Sequence, residues 1–197
     1  SDTVDLSHVK WTNGHYDVEA LTNLYVMEAH TANQRAQAIL DAVERYTADW
    51  REIHGVGFCV SQDHAHFMAD YFNQKGICSL ALDAHSSEEE RRSASQKLAS
   101  GDLTFIFVVD LFNEGVDIPC INTILFLRPT NSMTVFLQQL GRGLRLNEGK
   151  DCLTVLDFVA QANRKYDFAS RFQALVGRDN VSIHREVKEG FPHVPKG

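Results

Sequence analysis

The sequence has few cysteines, few prolines and no long hydrophobic run. Its four cysteines, Cys59, Cys78, Cys120 and Cys152, never fall in a Cys-x-x-Cys spacing. That argues against a zinc site and against a disulfide scaffold, and the expectation is reduced core cysteines in a cytoplasmic protein. No stretch of eighteen apolar residues occurs, so no membrane-spanning helix is expected. The N-terminus, Ser1-Asp2-Thr3-Val4-Asp5, lacks the basic and then apolar stretch of a secretory signal and reads as a fragment boundary. Basic excess is also missing. With 19 Lys+Arg against 26 Asp+Glu the formal net charge is −7, so the surface as a whole repels nucleic acid and any binding must come from a local groove. Two phosphate-binding loops are absent as well. Gly-x-x-x-x-Gly-Lys-Ser/Thr occurs nowhere, and no Gly-x-Gly-x-x-Gly follows an apolar run. Nor is there an Asp-Glu-x-His or Asp-Glu-Ala-Asp box to hold magnesium.

What is present is an ordinary globular composition, 44% apolar and 23% charged over 197 residues, enough for one α/β domain with some extra helix. The first 50 residues read as helical: Asp17 to Met27, then Thr31 to Trp50, opened by a Thr31-x-x-Gln34 capping box and carrying Ala36, Ile39, Leu40, Val43 and Tyr46 at helical spacing. Five short apolar runs follow, at Gly55–Val60, Ile77–Leu82, Leu103–Val109, Ile121–Leu127 and Cys152–Leu156. Helical stretches separate several of them: Asp63 to Gln74 stopping at Gly76, a polar helix from Ser87-x-x-Glu90 to about Gly101, and a segment from Met133 to Arg145. A last helix is expected over Arg164 to Val176, with an irregular tail from Ser182. Runs of Val, Ile, Phe and Cys without polar alternation suit strands buried on both faces. Alternation with helices predicts a parallel α/β sheet.

Distinctive polar residues gather where the runs end: Ser61, Asp83, His85, Asp110 and Arg128. In open parallel sheets ligands bind off the carboxyl ends of the strands. After the third run comes Asp110-Leu-Phe-Asn-Glu-Gly-Val-Asp-Ile-Pro119, in which Gly115 permits a tight turn while Glu114 and Asp117 can accept from ribose-like hydroxyls. A plain acidic loop closed by Pro119 is the other reading. Further on, Gln138-Gln-Leu-Gly-Arg-Gly-Leu-Arg145 on a helix places Gln138, Arg142 and Arg145 within roughly 60° of one another. Met133, Phe136, Leu140 and Leu144 fall on the opposite side. Two fixed cations beside an amide, braced by a core, suit a polyphosphate whose charge grows during reaction. A surface arginine pair on an amphipathic helix fits the same spacing.

The remaining candidates read as structural. His64-x-His66 would point about 200° apart on a helix, so no metal site is expected. Glu88, Glu89 and Glu90 beside Arg91 and Arg92 suit a solvated helix start. Asp157 could serve a site or cap a turn, and Trp11 and Trp50 could stack on a base or pack.

In order and spacing these segments resemble the C-terminal RecA-like lobe of superfamily-two helicases and translocases. Asn113 to Pro119 looks like motif V, Gln138 to Arg145 like motif VI, Phe58 to Ser61 occupies the place of motif IV, and Asp83-Ala-His85 with Arg91 looks like the nucleic-acid-contacting segment after it. Arg128-Pro-Thr-Asn-Ser132 is similar to the stretch before motif VI in the restriction-type, DEAH-like branch. Val109 replaces a threonine common in motif V, and Glu114 replaces the arginine of the DEAD-box version, which disfavours a DEAD-box RNA helicase.

The resemblance implies a three-layer α/β/α domain over residues 51–160, with a helical flank at 1–50 and a helix and tail at 161–197. It implies that Arg142 and Arg145 reach an ATP γ-phosphate, with Gln138 positioning that phosphate or the attacking water, and that Glu114, Gly115, Asp117 and Gly141 meet the nucleotide. It places Ser61, His85, Asn113, Arg128 and Thr130 along a nucleic-acid track, with DNA favoured over RNA. ATP and Mg2+ would be bound mainly by an N-terminal RecA-like lobe of the same polypeptide, so this chain alone would not hydrolyse ATP. The alternative is a stand-alone α/β regulatory or partner-binding module without motor activity.

Overall fold

The computed structural model describes residues 11–12, 15–27, 29–47, 49–109, 120–128 and 153–158. The chain opens with a two-stranded antiparallel hairpin, β1 (Trp11–Thr12) against β2 (His15–Tyr16), joined in sequence by Asn13-Gly14. Helix α1 (Val18–Thr22) follows, started by the Asp17 carboxylate, which accepts from the Ala20 N–H at 2.8 Å. It runs into a π-helical turn, Asn23–Met27, and then α2 (Ala29–Tyr46).

The rest alternates strand and helix: β3 (Gly55–Phe58), α3 (Gln62–Gln74), β4 (Ser79–Leu82), α4 (Glu88–Ser100), β5 (Phe105–Val108), β6 (Thr123–Phe126) and β7 (Thr154–Asp157). The last five strands form one parallel sheet in the order β4-β5-β3-β6-β7. The central strands β5, β3 and β6 are buried on both faces, so no solvent face imposes polar alternation on them, whereas edge strand β4 exposes Leu80.

The pleat sorts the side chains by layer. Val56, Phe58, Ile106, Val108, Ile124 and Phe126 face α4, which contributes Ala94 and Leu98. Phe105, Phe107, Leu125 and Leu156 face the other way, onto Ala36, Ile39 and Val43 of α2 and Ala65, Met68 and Phe72 of α3. The result is the expected α/β/α arrangement, and α2 belongs to its core. On that second face β3 carries only Gly55 and Gly57. A Cβ there would lie 2.1 Å from Phe105 Cε1 or 2.4 Å from Phe107 Cδ1. The two rings stack over the glycines with centroids 5.9 Å apart, and Phe72 meets both edge-on at 5.3 and 5.1 Å.

Asn122 ties the amino ends of the strands. Its Oδ1 accepts from the His54 N–H (2.9 Å), its Nδ2 donates to the Glu52 carbonyl (2.6 Å), and its own carbonyl accepts from the Thr154 N–H (2.8 Å). The Ser87–Glu90 capping box forms as the sequence predicts, and α4 ends at Gly101 with φ +83.

Several helical expectations change. The hairpin and the π-helical turn replace continuous helix before residue 28. Helix α2 already includes Thr31, so the Thr31–Gln34 box is not made, and Gln34 Nε2 lies 3.0 Å from His30 Nε2 instead. Its C-terminus is Tyr46 rather than Trp50. Thr47 turns its hydroxyl back onto the Val43 carbonyl, and Trp50–Glu52 is a separate 3-10 turn capped by Asp49.

Candidate functional site

The strands end in register. Leu82, Val108, Phe58, Phe126 and Asp157 form one row across the sheet, so the chain leaves it at Asp83, Val109, Cys59, Leu127 and Phe158 along a single edge. Ser61, His85 and Arg128 all lie on that carboxyl edge. At about 4.8 Å per strand, the loop after β4 and the end of β6 stand roughly 14 Å apart.

Ser61 ends the β3 excursion by capping α3: its Oγ accepts from the His64 N–H at 3.2 Å. A hydroxyl has one proton and two lone pairs, so this bond leaves the proton to donate. One position back, the Val60 N–H donates to His64 Nδ1 at 3.2 Å. His64 is 1% exposed, and its pKa is lowered to about 3, mainly by burial and further by the Arg35 cation. Its ring is therefore neutral, with Nδ1 as acceptor.

Behind it stands Tyr25 from the π-helical turn, its ring centroid 5.3 Å from the imidazole, and the Arg35 guanidinium lies 4.0 Å over the Tyr25 ring. Burial raises the Tyr25 phenol, and Arg35 pulls it part of the way back. Burial likewise raises the Cys59 thiol, with Arg128 and then Arg35 opposing. Both guanidiniums thus put positive potential at the carboxyl end of the central strand.

Past β4 the loop is held by Asp83. Its Oδ1 accepts from the His85 N–H (2.8 Å) and the Ser86 N–H (3.1 Å), and its Oδ2 lies 3.3 Å from His66 Nε2. The His85 N–H and then the His66 contact are the leading causes that hold the Asp83 carboxyl below its ordinary range. Arg91 Nη2, reaching from α4, donates to the Asp83 carbonyl at 2.9 Å. The carboxylate is spent on the loop and on His66 of α3, and His85 is left exposed at the rim. His64 and His66 face opposite ways, one in the core and one with a side chain 57% exposed. Among the described residues no cluster of three metal-ligating side chains occurs.

Asn113, Glu114, Gly115, Asp117, Thr130, Gln138, Gly141, Arg142 and Arg145 lie outside the described residues. So do the Met133–Arg145 helix, the Arg164–Val176 helix and the tail. Sequence reasoning overlooked the brace of Tyr25, Arg35 and His64 behind Ser61. The hint available was Ser61-Gln-Asp-His64, a capping box with imidazole where Glu or Gln usually stands.

The sequence matches the family described as helicase conserved C-terminal domain over residues 38–147. It is 32% identical over 106 residues to IRC3 of Saccharomyces cerevisiae, named as an ATP-dependent helicase, a stretch covering 54% of this chain and 15% of that protein. The irc3 protein of Schizosaccharomyces pombe, named as a mitochondrial ATP-dependent helicase, is 35% identical over 108 residues, covering 54% and 18%. The chain thus spans less than a fifth of either relative. Among solved structures, the yeast DEAD-box splicing factor Prp28 shares the fold with a TM-score of 0.57 at 16% identity, over 78% of this chain and 33% of that one.

Proposed function

Because the chain belongs to the helicase conserved C-terminal domain family, as the C-terminal lobe of a superfamily-two helicase, we propose that it serves as the second motor lobe of a nucleic-acid-dependent ATPase. The observation that carries this is the convergence of Ser61, the Asp83–His85 loop and Arg128 on one carboxyl edge, in a chain whose later segments run in motif V and motif VI order. The family uses ATP and Mg2+. In this reading both are held mainly by an N-terminal lobe carrying the P-loop and acidic box that this sequence lacks, and this chain alone is inactive.

Each residue then has a role set by its chemistry. Arg142 and Arg145 offer guanidiniums to the γ-phosphate when the lobes close, with Gln138 positioning beside them and Gly141 allowing close approach. Gly115 brings backbone near the nucleotide, while Glu114 and Asp117 accept from its hydroxyls. Ser61, His85, Asn113, Arg128 and Thr130 meet a strand laid along the edge, chiefly at its phosphates. A phosphate oxygen there accepts a hydrogen bond from the Ser61 O–H and meets the positive potential near Cys59. Nucleic acid bound across both lobes favours closure and so stimulates turnover. The Arg128-Pro-Thr pattern favours DNA and the restriction-type branch.

The test is ATPase activity of the polypeptide carrying both lobes, with single-stranded DNA and with RNA, for wild type and Arg145→Ala. The expectation is stronger stimulation by DNA and a loss of about 10³ to 10⁵ in the variant. A variant rate within a few-fold of wild type would remove the arginine finger from this account.

A further inference from the structure

Ser61 is held by a device on its buried side. In an ordinary capping box the serine hydroxyl takes the N–H three residues on, and a Glu or Gln at that position returns a bond to the backbone at the cap. Here the first half is normal, His64 N–H to Ser61 Oγ, but the return bond comes from an imidazole and goes one residue further back, to the Val60 N–H. The turn that presents Ser61 is thereby clamped on both sides by one residue. A carboxylate in that place would put a negative charge beside the phosphate track. A neutral ring makes the same bond without repelling it.

For the ring to do so it must stay neutral, because an imidazolium has two donors and no acceptor. Burial is the main cause of that neutrality and the Arg35 cation the second. Arg35 and Tyr25 are in direct contact inside the protein. The guanidinium is held against the face of Tyr25. Tyr25 in turn reaches the imidazole from a π-helical turn, a feature frequent at functional sites.

We propose that His64 is a positioning residue for the nucleic-acid track: through Nδ1 it holds the Val60–Ser61 turn in its binding geometry, and Tyr25 and Arg35 are the buttress that keeps the ring in place. The proposal rests on the motor reading above and adds to it a residue that never touches the strand.

The experiment compares His64→Leu, which lacks the acceptor, with His64→Asn, whose Oδ1 can stand where Nδ1 stands, in the polypeptide carrying both lobes. Nucleic-acid-stimulated ATPase is titrated with single-stranded DNA and with ATP, and exchange of the Val60 amide is followed by NMR. Losing one hydrogen bond from the turn raises the half-saturating DNA concentration about five- to tenfold in His64→Leu. Turnover at saturating DNA and the KM for ATP stay within about twofold, and Val60 exchange speeds up about tenfold. His64→Asn returns all of these to within about threefold of wild type. If the leucine variant does not fold, His64→Ala takes its place, since it also lacks the acceptor and needs no extra space.

A half-saturating DNA concentration unchanged in His64→Leu overturns the proposal. Equal impairment of the leucine and asparagine variants does so too, because that pattern belongs to packing. A wild type that no nucleic acid stimulates sinks the motor reading itself, and is told apart from both by occurring without any substitution.

Discussion

His64 and His66 sit two positions apart on α3, one in the core and one exposed, and burial sets how His64 responds to acid. His64 ionises near pH 3 in the folded chain, against an ordinary value of 6.5. Below pH 6.5 the unfolded chain takes up a proton that the folded chain refuses, so this residue's contribution is intact above pH 6.5 and is lost as pH falls toward 3. The slope is about 1.4 kcal/mol per pH unit. Urea unfolding at pH 7 and pH 5 should therefore show wild type losing about 2 kcal/mol more than His64→Leu over that interval. Equal losses would mean that His64 is not buried neutral. Asp83 has its carboxyl lowered by the His85 N–H and by His66, so its contribution is present above its unfolded value and is lost only in the more acidic range, as pH falls through the lowered one. The two effects occupy different windows, and the interval from pH 7 to 5 isolates the histidine.

Strand β3 depends on what it leaves out. Gly55 and Gly57 surrender their side of the pleat to Phe105 and Phe107, and the rings fill the space that two Cβ atoms would need. Gly57→Ala should cost about 1 to 3 kcal/mol by overpacking. Adding Phe107→Leu should make the pair less costly than the two single losses summed, a coupling that a urea-based double-mutant cycle reads directly. Additive losses would mean the ring is not what the new methyl meets. On α4 the capping box fixes the start of a helix that buries little beyond Ala94 and Leu98. Ser87→Ala should lower stability by about 1 kcal/mol, and loosening there would be felt by Arg91, whose guanidinium holds the Asp83 carbonyl.

Across the molecule, the sheet could be read from the sequence because strands buried on both faces advertise themselves as uninterrupted apolar runs. All five runs became strands with shifted ends: four are shortened, and the last begins two residues later and runs one residue further, to Asp157. The Ser87–Glu90 box and Gly101 were legible because caps are local. The Thr31–Gln34 box was misleading, since packing of Ala32 and Ala36 carries α2 past its apparent start. The hairpin had a local sign in Asn13-Gly14 that the helical reading of the first segment overrode. The edge residues Ser61, His85 and Arg128 were legible by their place after apolar runs. The brace behind Ser61 was not, because Tyr25, Arg35 and His64 meet only through tertiary packing of three separate helical segments.

The strand order also governs time. Strand β3 is central, yet Gly55 pairs with Phe105 on one side and Thr123 on the other, so neither neighbour is close in the chain. During synthesis β3 emerges with both hydrogen-bonding edges open and stays so until residues far downstream have left the ribosome. Such non-local pairing closes slowly and leaves sticky intermediates. The two ties from Asn122, to His54 and Glu52, then act as a late latch: they can form only after the loop back to β6 has closed, and once made they slow the reverse step.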